Sequence, residues 1–345
     1  MIIRIVAKWR FYIFVFGLMP GWAAATASDM AAPGEGGTTN WLPLGLESYE
    51  PSAFGYTKNN DDVHFENFKI SVQFPFMPHL TSDLLGDRNR IYFSFTGVFA
   101  FYIGDRYSGP VVGQEYNPQL FWRHLWSCKD AGSDKYTPNP YYLVPSSSDN
   151  SEAKSAASAA SGGSLNCYIM LGYNHDSNGQ IIDSQEQFLQ TARQQGLAAA
   201  YDSVSRGWDY IGIDGKFIPY WGPHDKVTLY PMLKYFLADG LLQGNPEELH
   251  YWEHPTDAKP RRDVDGLSLL AKYQHRLGSW DTKVALGYTT GYEHAFQYNT
   301  ERLEAGVVVK ELPIVFWVQN GYVSDLSRYY HSVRGYGVQV EIGSF

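Results

Sequence analysis

Beyond its extreme N-terminus the chain has no uninterrupted apolar run of the roughly 18 residues that a helix needs to cross a bilayer. This holds although 44% of its 345 residues are hydrophobic, and it argues against a bundle of membrane helices. Concentrated positive charge is also missing. Lys and Arg total 27 against 36 Asp and Glu, and the formal net charge of −9 argues against a nucleic-acid partner, whose phosphates call for clustered basic side chains. Cysteine is scarce, with only Cys128 and Cys167.

The one apolar stretch of note is near the start. Arg4, Lys8 and Arg10 precede the run Phe11 to Met19, Pro20 and Gly21 interrupt it, and small residues follow to Ala-Thr-Ala at 25 to 27. Residues 1–27 therefore read as a secretory signal peptide rather than an anchor helix, and 28–47 as a flexible periplasmic segment. An exported chain meets an oxidising compartment, so Cys128 and Cys167 are candidates for a disulfide, with two free thiols as the alternative. Between them "PSSSDNSEAKSAASAASGG" is too polar and small-sided to build a core, and reads as a long loop.

What is abundant is alternation. Phe68, Ile70, Val72, Phe74 and Phe76 share one parity, while Lys69, Ser71 and Gln73 take the other. Ile91, Phe93, Phe95 and Phe99 repeat the scheme, as do Val284, Leu286 and Tyr288, and Tyr336, Val338, Val340 and Ile342. Leu277-Gly278, Glu311-Leu312-Pro313 and Gly321 read as turns between hairpin strands. Segments of about 9 to 12 residues match the length that crosses a bilayer when tilted. The 26 Tyr, 19 Phe and 10 Trp suffice for aromatic girdles, and the chain ends on Phe345. The predicted fold is all-β: one transmembrane antiparallel barrel over 48–345, with about twelve strands. Insertions fall near residues 128–166, 180–197 and 239–264.

Against this pattern "GYNHDSNG", residues 172–179, is anomalous. His175 and Ser177 continue the parity of Ile169, Leu171 and Tyr173, and so project from the face that should touch lipid. In "SVSRGWDYIGI", residues 203–213, Asp209 shares parity with Ile211 and Ile213. If these strands pair antiparallel, Asp209 can reach one ring nitrogen of His175 while Ser177 meets the other. That is an arrangement for nucleophilic ester hydrolysis, since serine is a weak nucleophile until a positioned base takes its proton. A solvated barrel rim is the alternative reading of these three residues.

"LGYNHDSNG" at 171–179, "SRGWD" at 205–209 and "EYNPQLF" at 115–121 resemble the motifs of outer-membrane phospholipase A, the integral outer-membrane lipase of Gram-negative bacteria. The C-terminal run "GYVSDLSRYYHSVRGYGVQVEIGSF" is similar in pattern. The resemblance implies a twelve-stranded barrel that hydrolyses acyl esters of phospholipids and lysophospholipids, requires calcium and acts as a homodimer. It places the nucleophile on Ser177, the base on His175 and an oxyanion donor on the Gly179 amide. The family's third member is usually asparagine, and Asp209 stands at that position here. Ser108, Ser205 and the carbonyl of Gln180 match the calcium ligands, oxygen donors of the kind this hard cation takes.

Residues 180–204 form a longer connection than the family's. Its "SQEQFLQTARQQG" portion predicts a helix capped by Ser184 and stopped by Gly196, either a lid or a decoration of the outer rim, and Asp183 is a possible further calcium ligand. Competing functions on the same barrel are a lipopolysaccharide deacylase and a passive pore.

Overall fold

The computed structural model describes residues 47–60, 64–77, 81, 84–86, 88–102, 112–128, 166–222, 224–243, 259–310, 312–322 and 326–342. The expected signal peptide and the rest of the segment before residue 47, Ser108, most of the 128–166 insertion and Phe345 lie outside these residues.

The strands are β1 (Glu47–Ser48), β2 (Ser52–Asn59), β3 (His64–Pro75), β4 (Asn89–Tyr102), β5 (Val112–Ser127), β6 (Asn166–Ser177) and β7 (Gly207–Trp221). They continue as β8 (Asp225–Phe236), β9 (Gly266–Leu277), β10 (Trp280–Gly291), β11 (Asn299–Val309), β12 (Leu312–Gly321) and β13 (Val333–Ile342). Each of β2 to β13 pairs antiparallel with its neighbour in sequence, and β13 pairs with β2, so twelve strands close a ring. The two-residue β1 extends the β2 side of β3 at one end. Closure leaves no long exposed edge, which is what hydrocarbon surroundings demand of a spanning sheet.

The alternation sorts as the sequence predicts. Phe54, Ile70, Leu171, Leu286, Phe316 and Tyr336 are exposed on the outer wall, whereas Ser71, Ser94, Thr96, Gln119, Asn174 and Gln339 are buried toward the lumen. Inward charges pair: Lys283 binds Glu341 and Glu304, and Arg123 donates to Gln73 at 2.8 Å. Exposed aromatics gather at both ends of β7 to β10, with Tyr220, Trp221, Tyr273 and Trp280 at one end and Tyr235 and Phe296 at the other, the distribution expected of interfacial girdles.

The two ends of the barrel differ in how they are connected. At one end Leu277 pairs with Trp280 around Gly278, whose φ of 62° is the left-handed conformation a two-residue hairpin turn needs. Val309 pairs with Leu312 in the same way around Lys310, at φ 48°. Leu312 and Pro313, read from sequence as turn residues, therefore belong to β12, because a proline near a strand's first residue leaves the ladder intact. Gly321 likewise closes β12, opposite Val333. The opposite end carries the connections 178–206 and 237–265, in the manner of the longer extracellular loops of outer-membrane barrels.

The predicted helix forms as α1 (Gln185–Gln195), with Ser184 accepting from Gln187 N–H and Gly196 at its C-terminal cap. A second helix, α2 (Leu197–Asp202), follows directly after Gly196. It was not anticipated, because "LAAAYD" is too short for a periodic signal. Phe188 of α1 and Ala200 of α2 pack with Ile182 and Val204 into a small core, and Asp202 is held by Arg328 at 2.9 Å. A short helix α3 (Arg261–Val264) precedes β9. Cys128 and Cys167 are joined in a disulfide with a Cα–Cα distance of 5.4 Å. It closes the base of the 128–166 insertion at the short-turn end.

Candidate active site

Strands β6 and β7 are in the register that the parity argument requires. His175 stands directly opposite Asp209, Tyr173 opposite Ile211 and Leu171 opposite Ile213, so the polar groups interrupt an otherwise apolar outer face. His175 Nδ1 lies 2.6 Å from Asp209 Oδ1. Asp209 is wholly buried, while the histidine side chain keeps 16% exposure. A buried carboxylate persists only when it is fully hydrogen-bonded, and here Oδ2 accepts from Tyr173 OH at 2.5 Å, Leu242 N–H at 2.6 Å and Gln243 N–H at 2.9 Å. The segment 237–243 after β8 thus folds back over the outer face of β7 and seals Asp209 from above.

Ser177 ends β6 opposite Gly207. A Cβ placed on Gly207 would lie 3.5 Å from His175 Cε1 and 3.7 Å from Ser177 Cβ, so both catalytic candidates border the space above this glycine. A larger side chain at 207 would fill that space. The next residues turn away sharply: Gly179 takes φ 62°, and a Cβ there would meet the Tyr116 ring at 3.0 Å. Glycine suits that bend on both counts, and it leaves the Gly179 amide at the end of the strand that carries Ser177.

Inward-facing residues brace the same strand from behind. Asn178 is buried, donates to Val204 O at 2.8 Å and accepts from the Gln180 and Arg206 amides at 3.2 and 2.9 Å. Asp176, between His175 and Ser177 but pointing inward, pairs with buried Arg261 at 2.9 Å. Arg261 stacks over Trp208, 4.7 Å from its ring centroid, and also binds Asp265 at 3.1 Å. Burial alone would raise the Asp265 carboxyl, but the Lys234 ammonium and the Arg261 guanidinium hold it down at about 2. Asn178, Arg261, Gly207 and Tyr173 were missed as site residues by sequence reasoning. For Asn178 the available signal was a polar residue at an inward position just past the motif's serine.

Of the three oxygen donors matched to calcium, Ser108 lies outside the described residues. Gln180 and Ser205 belong to one hydrogen-bonded unit directly after Ser177: Ser205 N–H donates to Ile182 O at 2.7 Å and Ile182 N–H to Ser203 O at 2.9 Å, with Asn178 joining both chains. Among the described residues no three His, Cys, Asp or Glu side chains converge. The carbonyl and hydroxyl donors at this unit suit calcium chemically. Asp183 is exposed at the start of α1, where its amide donates to Gln187 Oε1 at 3.1 Å.

A charged lumen cavity of about 740 Å³ includes Lys69, Arg123, Asp214, Lys272 and Glu304 in its lining, but none of Ser177, His175 and Asp209. These three lie instead on the outer side of the wall. A second pair of the same kind provides a contrast. His275 Nδ1 is 2.6 Å from Asp225 Oδ1 at the short-turn end, with Tyr273 OH donating to the same oxygen at 2.5 Å. The residue two beyond His275 is Leu277, not serine, and the Asp225 side chain is 30% exposed. An aspartate–histidine pair is therefore an ordinary rim feature of this barrel; the serine and the overlying segment distinguish the pair at 175 and 209.

No protein-family model and no curated protein sequence matches the chain. Among solved structures, outer membrane phospholipase A from Escherichia coli aligns over 89% of this chain and 95% of that chain, with a TM-score of 0.53 and 17% identity. The Salmonella typhi outer membrane phospholipase, a dimer with bound calcium, aligns over 87% and 93%, with a TM-score of 0.52 and 16% identity. The likeness is one of fold: the chain is a twelve-stranded barrel of the outer-membrane type, with the fold of the outer-membrane phospholipases.

Proposed function

We propose that the protein hydrolyses the acyl esters of phospholipids and lysophospholipids in the bacterial outer membrane, as a calcium-dependent phospholipase A1/A2. The observation that carries this reading is the placement of His175, Ser177 and buried Asp209 on the lipid-facing wall of a membrane barrel, at the end that carries the 178–206 and 237–265 connections. A hydrolase for soluble substrates would have no use for a nucleophile there.

In this reading His175 Nε2 takes the proton of Ser177 Oγ as that oxygen attacks the ester carbonyl. Asp209, fixed at Nδ1, keeps the ring in the tautomer whose Nε2 is free to accept, and offsets the charge of the imidazolium that forms. The Gly179 amide donates to the oxyanion. His175 then returns the proton to the leaving glycerol oxygen, and water repeats the sequence on the acyl-serine. Ser108, Ser205 and the Gln180 carbonyl would hold calcium, whose positive charge, when bound, favours the developing oxyanion. A homodimer joined along the outer wall would bury the groove beside Ser177 and contact the acyl chains.

Hydrolysis of defined phospholipid by the refolded protein, with calcium or with chelator, tests the reading beside Ser177→Ala. Activity that needs both calcium and Ser177 supports it. Activity retained by Ser177→Ala rejects the nucleophile, and activity indifferent to chelation rejects the calcium site.

A further inference from the structure

The three groups around Asp209 Oδ2 are all donors, and their roles cannot be exchanged. Leu242 and Gln243 present backbone N–H groups to Oδ2 at 2.6 and 2.9 Å. Tyr173 could act either way in principle, but its oxygen already accepts from Leu241 N–H at 2.7 Å, which commits its own proton to Oδ2 at 2.5 Å. A directed chain results, from Leu241 N–H through Tyr173 OH to the carboxylate.

The same segment grips the backbone of residue 209. Leu237 N–H donates to Asp209 O at 2.9 Å, and Asp209 N–H donates to Gln243 Oε1 at 3.2 Å. Gly240 lies so close that a Cβ would fall 2.1 Å from Asp209 Oδ2, so only glycine permits this approach. At the opposite end of the barrel Asp225, which has the same histidine and tyrosine partners, has no such cover among the described residues.

Resting on the hydrolase reading above, we infer that Tyr173 and the 237–243 segment are a positioning clamp that makes a carboxylate obligatory at position 209. An amide there has two orientations, and both fail. With its oxygen toward His175, its NH2 faces three donors. With its oxygen toward the donors, its NH2 faces His175 Nδ1, which must then accept, and the ring proton moves to Nε2, the atom that has to receive the serine proton. Tyr173 sets which oxygen of residue 209 is available and so selects the histidine tautomer; it is a positioning residue and need not touch lipid.

The test is a double-mutant cycle with a tautomer readout. Asp209→Asn, Tyr173→Phe, the double variant, Ser177→Ala and Asp225→Asn are refolded, and closure of each barrel is checked by its heat-modifiable migration. Asp209→Asn is expected to lower kcat by about 10³- to 10⁴-fold, Tyr173→Phe by about tenfold with KM unchanged, and Asp225→Asn not at all. In the Asp209→Asn background, Tyr173→Phe is expected to cost nothing further. Imidazole ¹⁵N shifts, with His175 assigned by His175→Gln, should place the proton on Nδ1 in the wild type and on Nε2 in Asp209→Asn.

Activity of Asp209→Asn within about threefold of wild type, an equal cost of Tyr173→Phe in both backgrounds, or an unchanged tautomer each overturns the clamp. If Ser177→Ala remains active, the hydrolase reading fails instead, and the tautomer measurement still decides the clamp.

Discussion

At the residue scale, three side chains and one missing side chain define the site. Their parity was legible in the sequence because a strand has a period of two: once Ile169 and Leu171 mark the outer face, His175 and Ser177 must share it, and Ile211 fixes Asp209. What parity could not reveal is Gly207, whose role comes from a cross-strand position opposite Ser177. Gly207→Ala should be tolerated, since its Cβ would make only ordinary contacts at 3.5 and 3.7 Å. Gly207→Leu should fill the space between imidazole and serine and lower kcat/KM at least a hundredfold in a barrel that still folds. Steady-state hydrolysis by the two variants separates these outcomes, and similar activities would show that the space is not used. Gly179→Ala combines a left-handed φ of 62° with a 3.0 Å approach to Tyr116. A loss of about 1–3 kcal/mol should appear in its unfolding midpoint, together with lower activity from a displaced amide.

At the element scale, the site is a joint product of two adjacent strands and connections from elsewhere in the chain. The helix over 185–195 was legible, since Ser184 and Gly196 punctuate it. The return of 237–243 over Asp209 was not, because nothing local in "LADGLLQ" announces a partner about 30 residues earlier. Arg261, delivered by α3, is another such long-range contribution. Arg261→Ala would strand the Asp176 carboxylate in the interior and leave Asp265 to Lys234 alone, and removing one partner of a buried pair costs about 3–5 kcal/mol, measurable by denaturant titration. The pH dependence has a definite sign. Asp265 is depressed to about 2 from an ordinary value near 3.9, so its contribution to stability is complete above that ordinary value and fades as pH falls through about 2. Arg261→Ala should flatten this part of the stability profile. The Cys128–Cys167 disulfide spans 39 residues at the end remote from Ser177. Reducing it should lower stability by about 3–4 kcal/mol by loop-closure entropy and leave kcat unchanged; a comparable fall in kcat would contradict that separation of stability from activity.

At the scale of the whole molecule, the closed barrel puts His175, Ser177 and Asp209 on the outer wall rather than in the lumen cavity. About twelve closed strands were legible from alternation together with segment length and aromatic content, since alternation alone fits a soluble sandwich equally well. The connections were less legible, because their order depends on tertiary partners such as Arg328 and Tyr173 rather than on local period. The lipid-facing wall makes a prediction of its own. Leu171, exposed on the strand that carries the site, should not accept charge, and Leu171→Arg should destabilise the membrane-inserted barrel by about 2–4 kcal/mol if it lies near the midplane. Folding titrations into lipid vesicles would register the shift, and none is expected for a polar substitution at Ser268, which lines the lumen cavity and is partly exposed.

In the proposed mechanism Ser177 is an activated nucleophile on the outer wall. The most direct measurement is peptide mapping by mass spectrometry after exposure of the folded, lipid-embedded protein to a long-chain fluorophosphonate, which phosphonylates only serines activated by a neighbouring base. One adduct on Ser177, lost in His175→Gln and undisturbed in Asp225→Asn, is the predicted result. An adduct on another serine, or none in a preparation that hydrolyses phospholipid, would contradict it.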